Sequence, residues 1–137
     1  MCSALRTIEY KINEPLQARD VSEVFRGSGI KRPADDLVRI QRMIDNADIN
    51  VSAWDGTRLI GVARAITDYA YCCYLSDLAV RGEYQKAGIG KELVRIVREQ
   101  IGEEVSLLLL SAPSAMDYYP RIGFEKKDNA FIVPRTR

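Results

Sequence analysis

The sequence has 137 residues and a formal net charge of +1; 47% of its residues are hydrophobic and 28% are charged. This length predicts that residues 1–137 form one domain around one core, and the near-neutral charge excludes a large basic surface for nucleic acid. No apolar stretch approaches the roughly 20 residues that span a bilayer, and the first residues lack a signal-peptide pattern. We therefore expect a cytoplasmic protein that does not contact membranes.

The sequence contains no histidine. This excludes a Ser-His or Cys-His nucleophile pair, a histidine general base and the usual histidine metal ligands. The three cysteines, Cys2, Cys72 and Cys73, form no CxxC pair, so we expect neither a disulfide framework nor a zinc site. Any chemistry then depends on carboxylates, tyrosines, backbone dipoles and a cofactor, with no metal.

The first half of the chain predicts a strand, two helices and a hairpin. Ile8, Tyr10 and Ile12 alternate with charged residues, which is typical of a half-buried strand. Apolar residues at helical spacing then predict one helix that stops at Gly27-Ser28-Gly29 and a second that opens at Arg32-Pro33. Alternation around the turn Asp55-Gly56 predicts the hairpin, with strands over 49–53 and 59–66.

A strand over Tyr71–Val80 leads into an amphipathic helix, and two glycines, Gly88 and Gly90, stand at the junction. Glycine lets the backbone approach a ligand closely, and the first turn of a helix offers free N–H groups, so this junction suits a phosphate or pyrophosphate. A Walker loop does not fit, because Gln85 replaces its first glycine and Glu92 replaces its hydroxyl residue. A dinucleotide fingerprint does not fit either, because Leu93 replaces its third glycine.

The last third of the sequence predicts one more buried strand, a short helix and two closing strands. The continuous apolar run over Val105–Leu110 is typical of a strand buried on both faces. A helix is expected over Ser114–Tyr119, followed by short strands at Phe124 and at Phe131–Val133. The predicted order is β-α-α-β-β-β-α-β-α-β-β, an α/β protein with a mixed sheet.

Two motifs in this sequence resemble those of the GCN5-related N-acetyltransferases. Gln85-x-x-Gly88-x-Gly90 is similar to their (Arg/Gln)-x-x-Gly-x-(Gly/Ala) signature for acyl-CoA, and the segment 115–124, AMDYYPRIGF, is similar to their late motif Ala-x-x-(Phe/Tyr)-Tyr-x-x-x-Gly-Phe. The predicted order of elements resembles the same family from end to end. The resemblance implies the acyl-CoA N-acyltransferase fold and acetyl-CoA as cosubstrate.

The resemblance also assigns roles to individual residues. It implies that Tyr119 is the general acid that protonates the departing CoA thiolate, that Tyr118 packs as an aromatic, and that the backbone of Leu78 and Val80 pairs with the pantetheine arm. An N–H near Leu78 or Ala79 would polarise the thioester carbonyl. Backbone N–H groups would hold the pyrophosphate at Gln85, Lys86, Ala87, Gly88, Ile89 and Gly90. Lys86, Lys91 and Arg95 would either meet the adenosine 3′-phosphate or form an ordinary solvated face.

The late motif departs from the family pattern at one position that bears on the cofactor. Ala112 stands where the family often has a polar residue, typically Asn, which puts one side-chain contact to CoA in doubt. Ser111 or Ser114 is a candidate replacement. The alternative for Ser114 is plain capping of a helix.

An amine must lose its proton before it attacks a thioester, so a general base or a water chain to one is expected. Asp77 lies on the strand expected to hold the thioester and is the best candidate carboxylate. It would act as the base or contact a cationic substrate. Alternatively, it pairs with an arginine such as Arg64. Trp54, Tyr71, Tyr74 and Arg26 are candidates for shaping an acceptor pocket or for ordinary packing.

The function we expect is transfer of the acetyl group of acetyl-CoA to a primary amine, in a small molecule rather than a protein, by direct transfer in a ternary complex. Cys72 or Cys73 as a nucleophile is the alternative mechanism. A first alternative function is a non-catalytic module of the same fold that senses acyl-CoA or binds a partner. A second is an RNA-binding protein that uses Lys86, Arg95 and Arg98, against which the neutral charge argues. No nucleic-acid or membrane partner is expected, and a homodimer is possible.

Overall fold

In a computed structural model, which describes residues 7–137, a five-stranded sheet carries helices on both faces. Cys2 lies outside the described residues. The strands are β1 (Glu9–Ile12), β2 (Ile49–Asp55), β3 (Arg58–Thr67), β4 (Cys72–Val80) and β5 (Ser106–Leu108), and the helices are α1 (Ala18–Ser28), α2 (Leu37–Asp45), α3 (Ile89–Ile101) and the short α4 (Tyr118–Arg121). The predicted mixed α/β architecture is confirmed.

The sheet follows the order of the sequence, β1-β2-β3-β4-β5. The first three pairings are antiparallel and the β4–β5 pairing is parallel, because α3 crosses over between those two strands. Strand β5 is shorter than its apolar run predicts. Only three of its residues, Ser106 to Leu108, pair with β4, opposite Cys72 to Tyr74.

Each face of the sheet has its own apolar layer. Helix α3 buries Leu93, Val94 and Val97 against one face, as its apolar periodicity predicts. Helices α1 and α2 cover the other face, with Phe25 and Ile40 at the centre of that layer. The two layers hold β3 and β4 between them, so these central strands are fixed from both sides.

Helix α2 begins four residues later than Pro33 suggests. Its N-cap is Asp36, whose side chain accepts a hydrogen bond from the Arg39 N–H at 3.0 Å. The residues between the helices therefore form a loop, 29–36, which passes beside β4. Arg32 in this loop is consequently free to reach the sheet.

The end of the chain differs from prediction. Helix α4 is a single turn after a 3-10 turn over Pro113–Ala115, and it ends before Gly123, whose φ of 105° is left-handed. The structure forms no strand over residues 122–137, so the strands predicted at Phe124 and Phe131–Val133 are not present in the described chain. Apolar composition alone does not make a strand, and residues 122–137 pair with no strand of the described chain.

Candidate active site

The head of α3 offers unpaired backbone N–H groups. Gly88 is the N-cap with a left-handed φ of 81°, and the first intrahelical bond runs from the Glu92 N–H to the Gly88 carbonyl at 3.0 Å. The N–H groups of residues 89–91 precede that bond and have no partner within the helix. Lys86 also has a positive φ, 67°, which is unusual for a residue with a side chain. The arrangement presents several N–H groups at the positive end of the helix dipole, which suits an anion.

Strand β4 has an open edge beside this helix head. Its last pair with β5 is at Tyr74, and beyond that point no strand among residues 7–137 lies on that side. Since the Arg81 N–H donates to the Ile60 carbonyl on β3, alternation turns the backbone of Leu78 and Val80 to the open edge and that of Ala79 to β3. The open edge thus has the hydrogen-bonding groups that an extended chain would pair with.

Gln85 connects the open edge to α1. Its side-chain amide donates to the Val80 carbonyl at 2.9 Å and to the Ser28 carbonyl at 3.3 Å. Its backbone N–H donates to the Gly82 carbonyl, so it is already used within a turn. With these bonds Gln85 connects the end of β4 to α1. The free N–H groups at this site are therefore those of residues 89–91.

Helix α4 brings its two tyrosines to the same place. A methyl group at Gly90 would lie 2.7 Å from the Tyr118 hydroxyl oxygen and 4.0 Å from a methyl carbon of Leu78, so α4, the head of α3 and β4 converge here. Tyr119 packs edge to face between Tyr118 and Phe124, with ring centroids 5.3 and 5.5 Å apart. The sequence suggested only packing for Tyr118, yet its hydroxyl reaches the glycine turn.

Both tyrosine hydroxyls are held in the neutral form. Burial raises the pKa of Tyr119, with a further rise from Tyr118, while the Arg32 guanidinium opposes the shift. Burial also raises the pKa of Tyr118. A neutral phenol donates a proton, so at physiological pH each hydroxyl is in the state that a general acid requires.

Asp77 is fully buried between two arginines. One carboxylate oxygen accepts from Arg32 Nε at 2.5 Å and the other from Arg64 Nε at 2.5 Å. Arg32 Nη2 also donates to the Ser76 carbonyl at 2.6 Å, and Arg64 Nη2 donates to the Ser76 hydroxyl at 2.9 Å. The structure contains the ion pair between Asp77 and Arg64, which was one of the alternatives for Asp77. It also contains a second ion pair, between Asp77 and Arg32.

This arginine clamp, formed by Arg32, Arg64, Asp77 and Ser76, surrounds a β-bulge. Arg64 pairs with Asp77 and Ala65 with Leu75, so Ser76 has no partner on β3. A bulge increases local twist and bends its strand. The bulge lies two residues after the last β4–β5 pair, at Tyr74, where the open edge of β4 begins.

Other candidate residues either lie away from the place where α3, α4 and β4 meet or form contacts with other groups. Arg95 pairs with Glu92 at 2.7 Å and Glu99 at 2.6 Å on the exposed face of α3, whereas Lys86 and Lys91 are exposed without ion pairs in the described chain. Ser114 is exposed within the 3-10 turn and caps neither that turn nor α4.

The residues suggested for an acceptor pocket are not brought together. The register puts Trp54 beside the end of β4 and Tyr71 before its start, at opposite ends of the sheet. Arg26 pairs with Asp35. The residue that sequence reasoning missed is Arg32, which reaches Asp77 from 45 positions away. No local pattern could have indicated this contact.

Comparison with known proteins identifies the family of this chain. Residues 21–134 match the family model described as "Acetyltransferase (GNAT) domain". The chain belongs to the GNAT family of acetyltransferases. A relative from Arabidopsis thaliana, named GCN5-related N-acetyltransferase 2, chloroplastic, is 40% identical over 70 residues, which are 50% of this chain and 27% of that protein. The chain therefore matches about a quarter of that relative's length.

Two solved structures share the fold. A GNAT-family acetyltransferase from Streptococcus pneumoniae TIGR4 superposes with a TM-score of 0.75 at 20% identity, over 96% of this chain and all of that one. The aminoglycoside N-acetyltransferase AAC(6')-Iy, solved in complex with CoA, superposes with a TM-score of 0.74 at 14% identity, over the full length of both chains. Within the described residues, no helix is long and apolar enough to cross a membrane. The cytoplasmic location stays a prediction.

Proposed function

We propose that this GNAT acetyltransferase transfers the acetyl group of acetyl-CoA directly to a primary amine of a small molecule, within a single domain formed by residues 1–137. The observation that carries the proposal is the convergence of three elements at one place: the free N–H groups at the head of α3, the open edge of β4 and the tyrosines of α4. Support for the cosubstrate comes from the CoA complex of a protein with the same fold. The acceptor is a small molecule in that relative, an aminoglycoside.

The residues present fit a CoA ester. Its pyrophosphate would be held by the N–H groups of residues 89–91, beside Gly88, where no atom lies within 4 Å of an added Cβ. Its pantetheine arm would pair with the backbone of Leu78 and Val80, provided that the Gln85 amide releases the Val80 carbonyl. When bound, acetyl-CoA supplies an activated acyl group with a thiolate as leaving group.

The protein's own groups then have defined tasks. The Leu78 N–H faces the open edge and would stabilise negative charge on the acyl oxygen. The Tyr119 hydroxyl is neutral at physiological pH, and burial raises its pKa further; it would give its proton to the departing thiolate. Asp77 would act as a positioning group, because both of its oxygens accept from guanidinium groups. The amine's proton would then leave by water.

Direct transfer is favoured over a covalent acyl-enzyme. A cysteine nucleophile must be a thiolate, and burial raises the pKa of the Cys73 thiol. Cys72 is exposed on the first residue of β4, at the paired end of the strand rather than along its open edge. The described chain offers no histidine to activate either thiol.

Calorimetric titration with acetyl-CoA, with CoA and ADP as comparisons, tests the cosubstrate. We expect one-to-one binding that weakens by about tenfold or more in Gly88→Ala, since the added methyl group would face the pyrophosphate. Gly56→Ala is the matched control, because both glycines have positive φ, 81° and 61°, and neither has an atom within 4 Å of an added Cβ. The control should bind normally.

Three outcomes distinguish the alternatives. An absence of binding to either CoA species would refute the transferase assignment for this site. Binding that is unaffected in Gly88→Ala would refute the pyrophosphate position. Binding without acetyl transfer to a broad panel of amines would favour the non-catalytic acyl-CoA-sensing module.

A further inference from the structure

The side chain of Arg32 connects the α1–α2 loop to β4 without using all of its donors. Its Nε donates to Asp77 at 2.5 Å, its Nη2 to the Ser76 carbonyl at 2.6 Å and its Nη1 to the Lys31 carbonyl at 2.6 Å. A guanidinium has five N–H donors, so two remain after these three bonds. The side chain is 26% exposed, so a ligand has access to it from solvent.

The position of Arg32 puts its charge beside the proposed reaction. The guanidinium opposes the rise in the pKa of Tyr119, which is the effect of a cation close to a phenol. Its contact with Ser76 lies just past the last β4–β5 pair, on the part of β4 that has the open edge. The guanidinium therefore borders the place where an acceptor amine would meet the thioester.

Positive charge is in excess at this place. Arg32 and Arg64 share one carboxylate, that of Asp77. Lys31, which precedes Arg32, is exposed and forms no ion pair within residues 7–137. Three cationic side chains thus stand against one carboxylate.

The carboxylates of the same loop do not offset this charge. Asp35 pairs with Arg26, and the Asp36 side chain caps α2. No carboxylate of the described chain contributes to the shift in the pKa of Tyr119, although Asp117 stands only two positions away in the sequence. A polycationic acceptor would therefore be repelled here, whereas a carboxylate or a phosphate would accept hydrogen bonds from the guanidinium.

The same charge favours the reactive form of an amine. An amine attacks only as the free base, and a nearby positive charge lowers the pKa of an ammonium group. Asp77 is held by two guanidiniums and would not take the proton in the proposed mechanism. An anionic group elsewhere on the acceptor would then provide the binding energy that a repelled ammonium does not.

We propose that the acceptor is an amine that also carries an anionic group, a carboxylate or a phosphate, and that Arg32 and Lys31 bind this group. The inference rests on the proposed function and names the class of its second substrate. Arg32 then has two tasks, since three of its N–H groups hold the loop and β4 while the remaining two bind the acceptor.

Acetyl transfer to matched acceptors tests the proposal. A panel of α- and ω-amino acids is compared with the corresponding amides, and O-phosphoethanolamine with ethanolamine, at equal concentrations of free base. We expect kcat/KM to be at least about tenfold higher for the anionic member of a pair, mainly through KM, because hydrogen bonds between charged groups are the strong ones. Preference within the amino-acid pairs would indicate a carboxylate, and preference within the other pair a phosphate.

A single charge removal assigns the preference to this loop. Lys31→Gln should reduce the preference for the anionic acceptor several-fold, and it leaves the arginine clamp intact. Arg19→Gln is the matched control, because it removes an equal charge from the exposed start of α1, at the far end of that helix from the loop. The control should keep the preference of the wild type.

Calorimetric titration of the CoA-saturated protein with the same pairs gives the comparison without turnover. Equal use of both members of every pair, or faster use of the uncharged ones, would overturn the proposal and leave the acetyltransferase assignment in place. A preference that Lys31→Gln does not change would remove Lys31 from the site. Failure to acetylate any acceptor of either kind would instead refute the proposed function, and this inference with it.

Discussion

The two adjacent tyrosines of α4 differ in what surrounds them. Tyr119 packs between two aromatic rings and lies close enough to Arg32 for that guanidinium to oppose the rise in its pKa. Tyr118 extends its hydroxyl to the glycine turn at the head of α3. The tyrosine that gives up the proton should be the one near the arginine clamp on β4, and the other should affect mainly the binding of the cosubstrate.

The first prediction concerns this division of roles. Tyr119→Phe should lower kcat about 10²–10⁴-fold, the usual contribution of a general acid, with little change in acetyl-CoA affinity. Tyr118→Phe, the matched control, should retain kcat within a few-fold. A larger loss of kcat in Tyr118→Phe than in Tyr119→Phe would instead make Tyr118 the general acid.

The pH dependence of the wild-type enzyme follows from the same group. A general acid works only while it is protonated, so kcat should fall as the pH rises through the pKa of Tyr119. Since burial raises that pKa, the fall should lie above the ordinary phenol value of about 10. A fall well below that pH which disappears in Tyr119→Phe would contradict the direction of the shift.

At the scale of elements, the arginine clamp links the α1–α2 loop to β4. Within residues 7–137, Asp77 is the carboxylate that pairs with both Arg32 and Arg64, and its removal would leave both guanidiniums without this charged partner. Asp77→Asn should therefore reduce the free energy of unfolding by about 3–5 kcal/mol, as measured by urea denaturation. The acid side of the pH–rate profile should keep its shape, because Asp77 does not itself take the proton.

Arg32→Gln is the companion variant, since it breaks one contact of Asp77 and leaves the carboxylate in place. It should lower stability less than Asp77→Asn, because Arg32 is 26% exposed. It should also reduce kcat, since the bulge at Ser76 loses one of its two supports. If Asp77→Asn removed the acid limb of the profile and left stability unchanged, Asp77 would be the general base instead.

Sequence periodicity was sufficient to predict those elements that pack against the rest of the protein through their own apolar face. The three long helices and the strands β1 to β4 follow from such patterns, and so does the glycine turn at Gly88. Periodicity was insufficient where the local structure involves contacts between residues far apart in the sequence. Arg32 donates to the Ser76 carbonyl at the bulge from a distant loop, and the exposed Phe131–Val133 segment has strand composition but pairs with no strand of the described chain.

At the scale of the whole molecule, the proposed direct transfer would require one region to hold two substrates at once. The free N–H groups, the open edge of β4 and the tyrosines occupy one region, whereas Cys72 and Cys73 lie at the end of β4 that pairs with β5. Initial-rate plots with both substrates varied should therefore give intersecting lines. The variant with Cys72→Ser and Cys73→Ala should behave in the same way, because burial keeps the Cys73 thiol neutral. Adding Cys2→Ser extends the test to the cysteine outside the described residues. Parallel lines, together with an acetylated cysteine detected by mass spectrometry, would establish a covalent route and remove direct transfer.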